Sequence, residues 1–249
     1  MKSLRRAGEI SVPELAEQVG TSSPSIRHDL ARLEKRGLVL RTHGGAALVE
    51  PLFYTPFRYD TSFQARELRS ADEKRRIGLA AAELIKENEI VGLTAGTTTT
   101  QIGRSLRHRR GVCVVTNAVN IGMELSNQPA IKTMITGGTL AWALAFALAG
   151  QTALRFLQEI YLDKAFISAT GVDIERGVTT LEQEEAAVAI TMMRQAKQVI
   201  LVADSSKFGH VSSAVICPIA SMHILVTDTG LSEPNYQALT SRGIQVIRA

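Results

Sequence analysis

A glycine followed by four threonines is the feature of this sequence that most directly suggests binding chemistry. Residues 93–100 read Leu-Thr-Ala-Gly-Thr-Thr-Thr-Thr, after an apolar run typical of a buried strand. A helix that begins at such a loop leaves backbone N–H groups free at its positive end, where anions and above all phosphate bind. Gly96, Thr97, Thr98 and Thr99 are therefore candidate phosphate ligands, although small residues at such a turn also serve close packing. The P-loop pattern Gly-x-x-x-x-Gly-Lys-Ser/Thr is missing, so nucleotide hydrolysis is not predicted.

Polar or glycine-rich turns also follow the other apolar runs. They are Thr116-Asn117, Thr136-Gly137-Gly138, Thr170-Gly171-Val172-Asp173 and Asp204 through Gly209. Open α/β sheets bind ligands at the edge where the carboxyl ends of their strands meet. The convergence of these turns therefore predicts a ligand site at that edge, together with the Gly96 loop.

The elements that would position these turns alternate along the chain after about residue 72. The β-type runs are Glu89–Thr94, Val112–Thr116, Ile131–Thr136, Lys164–Thr170, Val199–Ala203, Ile224–Thr227 and Ile244–Ile247. The helical runs are Asp72–Lys86, Thr98–Arg107, Ala118–Asn127, Gln151–Leu162, Glu182–Lys197 and Ser232–Arg242. Because the β-type runs are continuously apolar, they predict strands that helices cover on both faces. The fold class is therefore α/β, with a mostly parallel, doubly wound sheet.

The first 50 residues have a different pattern, in which two short helices are separated by a glycine turn. Val12–Val19 reads as the first helix, Gly20 allows the turn, and the second helix runs from about Pro24 to Lys35. This order is typical of a helix-turn-helix. The residues of its second helix that face away from the apolar stripe are Ser23, Ser25, Arg27, His28 and Arg32. Arg pairs with guanine in the major groove, so these are candidate DNA contacts, although a charged helix face is also an ordinary solvated face.

A candidate wing follows the second helix. Residues 38–46 read as two short strands with a Gly-Gly turn region, from which Arg41 and His43 would reach the DNA backbone or the minor groove.

Residues 11–46 resemble the DNA-binding domain of DeoR-type repressors. The resemblance is carried by Ile26-Arg27-x-Asp29-Leu30 and by the wing sequence Arg41-x-His43-Gly-Gly-Ala46. It extends over almost the whole chain through a further set of positions. They are Phe63, Arg66, Glu73-Lys74, Gly96–Thr99, Thr116-Asn117, Gly137-Gly138, Gly171, Asp173 and Asp204 through Gly209.

The resemblance implies a division of the chain and a function for each part. It implies a winged helix-turn-helix over residues 1–50, a linker over 51–71 and a sugar-phosphate-sensing domain over 72–249. The sensing domain would be similar in fold to ribose-5-phosphate isomerase A and the coenzyme A transferases. The implied function is that of a repressor of a sugar-metabolism operon, with operator DNA and a phosphorylated sugar as partners. A homodimer or homotetramer is implied as well, because palindromic operators mirror protein symmetry.

The resemblance also implies roles for individual residues. Gly96–Thr99 would bind the phosphate, and Asn117, Asp173 and Lys207 would face the sugar, with Gly137 and Gly138 at the same site. Lys207 would in addition balance the charge of the phosphate.

Composition sets limits that agree with a DNA-binding protein without requiring one. The net charge is +4 with a pI of about 9.2, which a basic enzyme would share. Cys113 and Cys217 lie far apart without a histidine at metal-ligand spacing, so we expect free thiols and neither a metal nor a cofactor. We find no signal peptide pattern and no apolar run of membrane-spanning length, which predicts a cytoplasmic protein without membrane contact.

Departures from the family pattern keep a second function open, and the fold that the resemblance implies keeps a third. Thr94 stands where many relatives carry Asp, Trp142 where many are polar, and Ala189 where many carry Lys. About eight residues precede Glu9, so we expect the helix that usually opens the DNA-binding domain to be clipped, either because the given start is late or because the helix is abbreviated. One alternative is a constitutive DNA binder whose sensor has decayed. The other is a sugar-phosphate isomerase in which Asp173 and Lys207 act as acid and base.

Overall fold

The computed structural model describes residues 9–35, 39–42, 44–48, 61–106, 109–140 and 146–249. Residues 1–8, His43, residues 51–60 and Trp142 lie outside these ranges. The chain divides into two compact units, residues 1–61 and 62–249, which we call the N-terminal and the C-terminal unit. Among the helices of the described ranges, none combines the length and the apolar character that crossing a bilayer requires.

The described residues of the N-terminal unit form two helices and a small antiparallel sheet. Its elements are β1 Glu9–Ser11, α1 Val12–Val19, α2 Ser23–Lys35, β2 Val39–Arg41 and β3 Gly45–Leu48, with the strands in the order β1-β3-β2. Ser11 begins α1 with a capping box, because its hydroxyl accepts from the Glu14 amide and the Glu14 carboxylate accepts from the Ser11 amide. The predicted helix-turn-helix and the strand pair of the wing are confirmed.

One apolar cluster holds this unit together. Ile26 and Leu30 of α2 pack against residues of α1 and the small sheet. The partners are Ile10, Val12, Leu15 and Ala46. Because Ile26 and Leu30 are four residues apart, they lie on one face of α2 and leave the opposite face to solvent.

From residue 61 onward, helices alternate with strands. The helices are α3 Thr61–Leu68, α4 Ala71–Glu83, α5 Thr97–Ser105, α6 Val119–Leu125, α7 Gln151–Gln158, α8 Gln183–Arg194 and α9 Glu233–Thr240. The strands are β4 Ile90–Leu93, β5 Val112–Thr116, β6 Ile131–Ile135, β7 Thr139–Leu140, β8 Leu148–Ala149, β9 Leu162–Ser168, β10 Gly171–Asp173, β11 Gly177–Thr180, β12 Ala196–Val202, β13 Ala214–Cys217, β14 Ile224–Thr227 and β15 Gln245–Arg248.

Seven strands form one parallel sheet in the order β15-β14-β12-β9-β4-β5-β6. In its register Leu93 pairs with Phe166 and with Thr116, and Val202 pairs with Ser168. The carboxyl ends of β12, β9, β4 and β5 therefore lie side by side at one edge. The predicted parallel α/β sheet is confirmed, and the turns singled out from the sequence follow its strands.

Three features of the C-terminal unit were not predicted. Strands β7 and β8 form a hairpin, and β10, β11 and β13 form a small antiparallel sheet. Helix α3 lies within the segment 51–71, for which the family resemblance implies a linker. These elements are short, so none of them repeats an apolar pattern often enough to be recognised.

Thr94, one of the departures from the family pattern, joins β4 to β9. Its hydroxyl accepts from the Ser168 amide at 2.9 Å and donates to the Phe166 carbonyl at 3.3 Å. The Thr94 side chain is buried, and its hydroxyl provides the hydrogen-bond acceptor for the amide of the last residue of β9. Ala189, another departure, is buried within α8.

We predict that Thr94→Val lowers the free energy of unfolding by about 1–3 kcal/mol, because the partly buried Ser168 amide loses its acceptor. Urea denaturation measures this change. Thr227→Val is the matched control, since the Thr227 hydroxyl is equally buried and has no hydrogen-bond partner. The control is expected to be neutral or stabilising. Equal destabilisation by both substitutions would contradict the bridging role of Thr94.

Candidate functional site

The exposed face of α2 carries the side chains predicted to contact DNA. Ser25, Arg27, His28 and Arg32 are exposed, and Ser23 is half-buried where the helix begins. Ser22 precedes the helix, and its hydroxyl accepts from the Ser25 amide at 3.4 Å.

The same face lies beside the hairpin formed by β2 and β3. Arg27 lines a depression of about 340 Å³ together with Thr42 and Gly44, which belong to that hairpin. The backbone of Arg41 ends β2, where it pairs with Ala46, and His43 lies outside the described residues. A basic helix face next to a two-stranded wing is the arrangement with which winged helices bind duplex DNA.

In the C-terminal unit, the Gly96 loop connects β4 to α5 as predicted. The hydroxyls of Thr99 and Thr100 donate to the Gly96 carbonyl at 3.0 and 2.7 Å. Side chains from Thr97 to Thr100 are buried. A Cβ on residue 96 would overlap the Ser168 side chain, so only glycine allows the loop to approach the end of β9 this closely. The amino end of α5 is thereby fixed against β9.

Asn117 acts as a buried connector between strand ends. Its Oδ1 accepts from the Ala95 amide at 2.9 Å, and its Nδ2 donates to the Leu148 carbonyl at 3.1 Å. Gly137 and Gly138 follow β6 with φ of 68° and 115°, and a Cβ on Gly138 would overlap the Ala149 carbonyl. These residues therefore shape the edge of the sheet next to the Gly96 loop.

Asp173 is the last residue of β10, directly before the turn to β11. Its Oδ1 accepts from the amides of Arg176 at 2.8 Å and Glu175 at 3.0 Å, which lowers the pKa of the carboxyl. The carboxylate thus stabilises the turn, as aspartate does in Asx turns.

A cavity of about 360 Å³ lies at the carboxyl ends of β9 and β12. Its walls contain Arg66, Arg69, Lys74, Thr170, Asp204, Ser206, Lys207, His210, Val211 and Ser212. Of the residues predicted to bind the effector, Lys207 is on this wall, whereas Gly96–Thr99, Asn117, Gly137, Gly138 and Asp173 are not. The Gly96 loop lies on the other side of β9, against Ser168.

Lys74 is the most buried cation of the cavity, with only 2% of its surface exposed. Its ammonium donates to the carbonyls of Arg66 and Arg69, the latter at 2.6 Å. Burial lowers the pKa of Lys74 to about 8, while the nearby Asp204 carboxylate opposes this change. Lys207, Arg66 and Arg69 lower the pKa further through repulsion. The ammonium is thus held among other positive charges, which an anion would relieve.

Asp204 lies two residues after the end of β12 and supplies the only carboxylate of the described cavity wall. Its Oδ1 accepts from the amide and the hydroxyl of Ser206. Its Oδ2 is buried without a hydrogen-bond partner, on a residue that is 1% exposed. An unpaired buried carboxylate oxygen is costly, so a ligand hydroxyl that donates to it is stabilised there.

Sequence reasoning did not single out Arg66, Arg69, Lys74 or Asp204 as binding residues. Asp204 is part of a turn predicted to lie at the carboxyl ends of the strands. That position in the sequence is the feature that could have identified it as a binding residue. The two arginines come from α3 and the residue after it, within the predicted linker.

The chain matches two domain families, one in each unit. The DeoR-like helix-turn-helix domain matches residues 1–51, and the DeoR C terminal sensor domain matches residues 69–229. Among solved structures, ribose 5-phosphate isomerase A from Methanocaldococcus jannaschii is 19% identical, with a TM-score of 0.41 over 56% of this chain and 55% of that chain.

Curated relatives match over nearly the full chain. A putative aga operon transcriptional repressor from Escherichia coli O157:H7 is 32% identical over 99% of this chain and 90% of its own length. The HTH-type transcriptional regulator GlpR from Haloferax volcanii is 33% identical over 95% of this chain and 90% of its own length. Taken with the helix-turn-helix and the α/β unit described above, these matches establish that the chain belongs to the DeoR family of DNA-binding transcriptional regulators.

Proposed function

We propose that this regulator binds operator DNA through α2 and the β2-β3 hairpin, and that a phosphorylated sugar in the C-terminal unit modulates this binding. The observation that carries the proposal is the cavity at the carboxyl ends of β9 and β12. Its described walls hold four cationic side chains, Arg66, Arg69, Lys74 and Lys207, against the single carboxylate of Asp204.

This balance of charge favours an anion that also carries hydroxyl groups. The cations attract a phosphate, and the unpartnered Oδ2 of Asp204 accepts a hydrogen bond from a hydroxyl. The volume of about 360 Å³ lies within the range of small-molecule sites. A phosphorylated sugar supplies both groups in one molecule. An intact cavity also argues against a decayed sensor.

The predicted effector residues outside the cavity have a place in this proposal. The amino end of α5 at Gly96–Thr99 is a second position that favours an anion, on the opposite side of the end of β9. We propose that Asn117, Gly137 and Gly138 hold that loop in place. Asp173 would act through the turn that it stabilises.

We further propose that the protein works as a regulator and not as an isomerase, and as a homodimer or larger assembly. The role as a regulator is supported by the names of the two relatives reported above, a transcriptional repressor and a transcriptional regulator. Two-fold symmetry matches a palindromic operator, which supports the second. Incubation with ribose 5-phosphate tests for isomerase activity, and formation of the ketose would contradict the first point.

Arg27→Ala is expected to weaken operator binding by about 1–3 kcal/mol if the guanidinium contacts a base. Titration of labelled operator at fixed salt measures the change. Arg75→Ala is the control, because it removes the same charge from an exposed position on α4. If both variants bind operator as tightly as the wild type, Arg27 is not part of the DNA contact.

A thermal-shift screen with sugar phosphates and the matching free sugars tests the effector. At about a hundred times its Kd, an effector stabilises the folded state by about 2.7 kcal/mol. We expect one phosphate to raise the Tm, its free sugar to have no effect, and Lys207→Ala to abolish the response. Thr98→Val reports on the Gly96 loop, and we expect it to weaken the response while leaving effector-free operator binding intact. No shift with any sugar phosphate would contradict the proposed sensor.

Effector affinity is expected to fall as the pH rises from about 7 to about 9. Lys74, with a pKa of about 8, is mostly charged at the lower pH and mostly neutral at the higher one. The second pKa of a phosphate monoester, near 6, lies below this range, so the ligand stays dianionic. The decrease is at most about tenfold per pH unit. Calorimetric titration at several pH values measures it, and a constant affinity would exclude Lys74 from phosphate binding.

A further inference from the structure

Several contacts of its described side chains attach helix α3 to the rest of the C-terminal unit. Phe63 packs edge-to-face on Phe146, with ring centroids 5.0 Å apart. Glu67 forms an ion pair with Arg104 at 2.7 Å. Among the α3 side chains that the structure describes, only Phe63 is buried, and Leu68 is 78% exposed. So few buried contacts indicate a locally low stability of this helix.

The carboxyl end of α3 is tied to the cavity. The Lys74 ammonium donates to the carbonyls of Arg66 and Arg69, at the end of the helix and just beyond it. The same ammonium is attracted by Asp204 on the cavity wall. One buried cation thus links the end of α3 to the end of β12.

The side chains of Arg66 and Arg69 reach the cavity as well. Arg66 is also attracted by Glu185 of α8, a carboxyl whose pKa is raised by burial and which accepts from the Thr180 hydroxyl. An anion in the cavity therefore interacts with α3 through Arg66 and with the residue directly after the helix through Arg69. These contacts add to the few that hold α3 in place.

We propose that α3 is the element through which the effector acts: Arg66 and Arg69 bind its phosphate, and an occupied cavity holds α3 more firmly on the C-terminal unit. This inference rests on the proposed function and assigns its regulation. Because α3 begins at residue 61, where the N-terminal unit ends, a change in its attachment acts on the chain that leads to the DNA-binding unit. The effector binds more tightly when α3 is held firmly on the C-terminal unit than when α3 is loosened. This difference in affinity is what allows it to alter operator binding.

The test uses the full chain, the double variant Arg66→Gln/Arg69→Gln and the control Arg75→Gln, whose guanidinium is exposed on α4. The probe is inorganic phosphate, compared with chloride at the same ionic strength. Hydrogen exchange followed by mass spectrometry reports on the amides of residues 65–70, and calorimetry gives the phosphate affinity. Far-UV circular dichroism and effector-free operator affinity check that each variant is folded.

Phosphate is expected to slow exchange at residues 65–70 in the wild type and in the control. In the double variant this slowing is lost, and phosphate affinity falls by about tenfold or more, since hydrogen bonds to charged groups are among the stronger ones. If the folded double variant keeps its affinity, or if bound phosphate leaves exchange at α3 unchanged, the inference is wrong while the sensor itself stands. If neither phosphate nor any sugar phosphate binds the wild type, the proposed function fails, and the inference fails with it.

Discussion

The position of the cavity and of the Gly96 loop depends on the parallel pairing of β9 with β4 on one side and with β12 on the other. Since all three strands run in the same direction, the turns that follow them meet at one edge. Ser168 ends β9 in contact with Gly96, and Thr170 just beyond it is part of the cavity wall. A shift of β9 by one residue would turn its side chains to the opposite face and separate these contacts. The buried bridge from Thr94 to the Ser168 amide opposes such a shift.

Much of this sheet could be predicted because buried parallel strands require continuous apolar sequence. Val199–Ala203 and Ile224–Thr227, for example, lie almost entirely within strands β12 and β14. The exposed face of α2 was predictable for a similar reason, since Ile26 and Leu30 recur at helical spacing. Helix α3 has no such pattern, because Phe63 is its only buried side chain among those described. A short helix held by one aromatic contact and ion pairs leaves little periodicity in the sequence.

The candidate binding site was predictable in position but only partly in composition. Lys207 lies on the cavity wall, in a turn that follows a strand. The partners of Asn117, by contrast, are the backbone groups of Ala95 and Leu148, which are distant in sequence. Because every residue type carries the same backbone groups, the sequence does not reveal such partners. The burial of Lys74 was equally invisible, because a lysine in an amphipathic helix ordinarily faces water. In the sequence, a lysine that the fold buries in a cavity looks the same as a lysine that stays exposed on a helix.

The position of α3 has a consequence for work with isolated domains. Two of the four cations on the cavity wall, Arg66 and Arg69, precede α4 and lie before residue 72, where the sequence pattern of the α/β domain begins. A fragment cut at that boundary retains the seven-stranded sheet with its core and lacks half of the cationic side chains of the described cavity wall. Lys74 would also lose the carbonyls to which it donates. We expect such a fragment to have an altered cavity, so anion affinities measured on it would underestimate those of the complete chain.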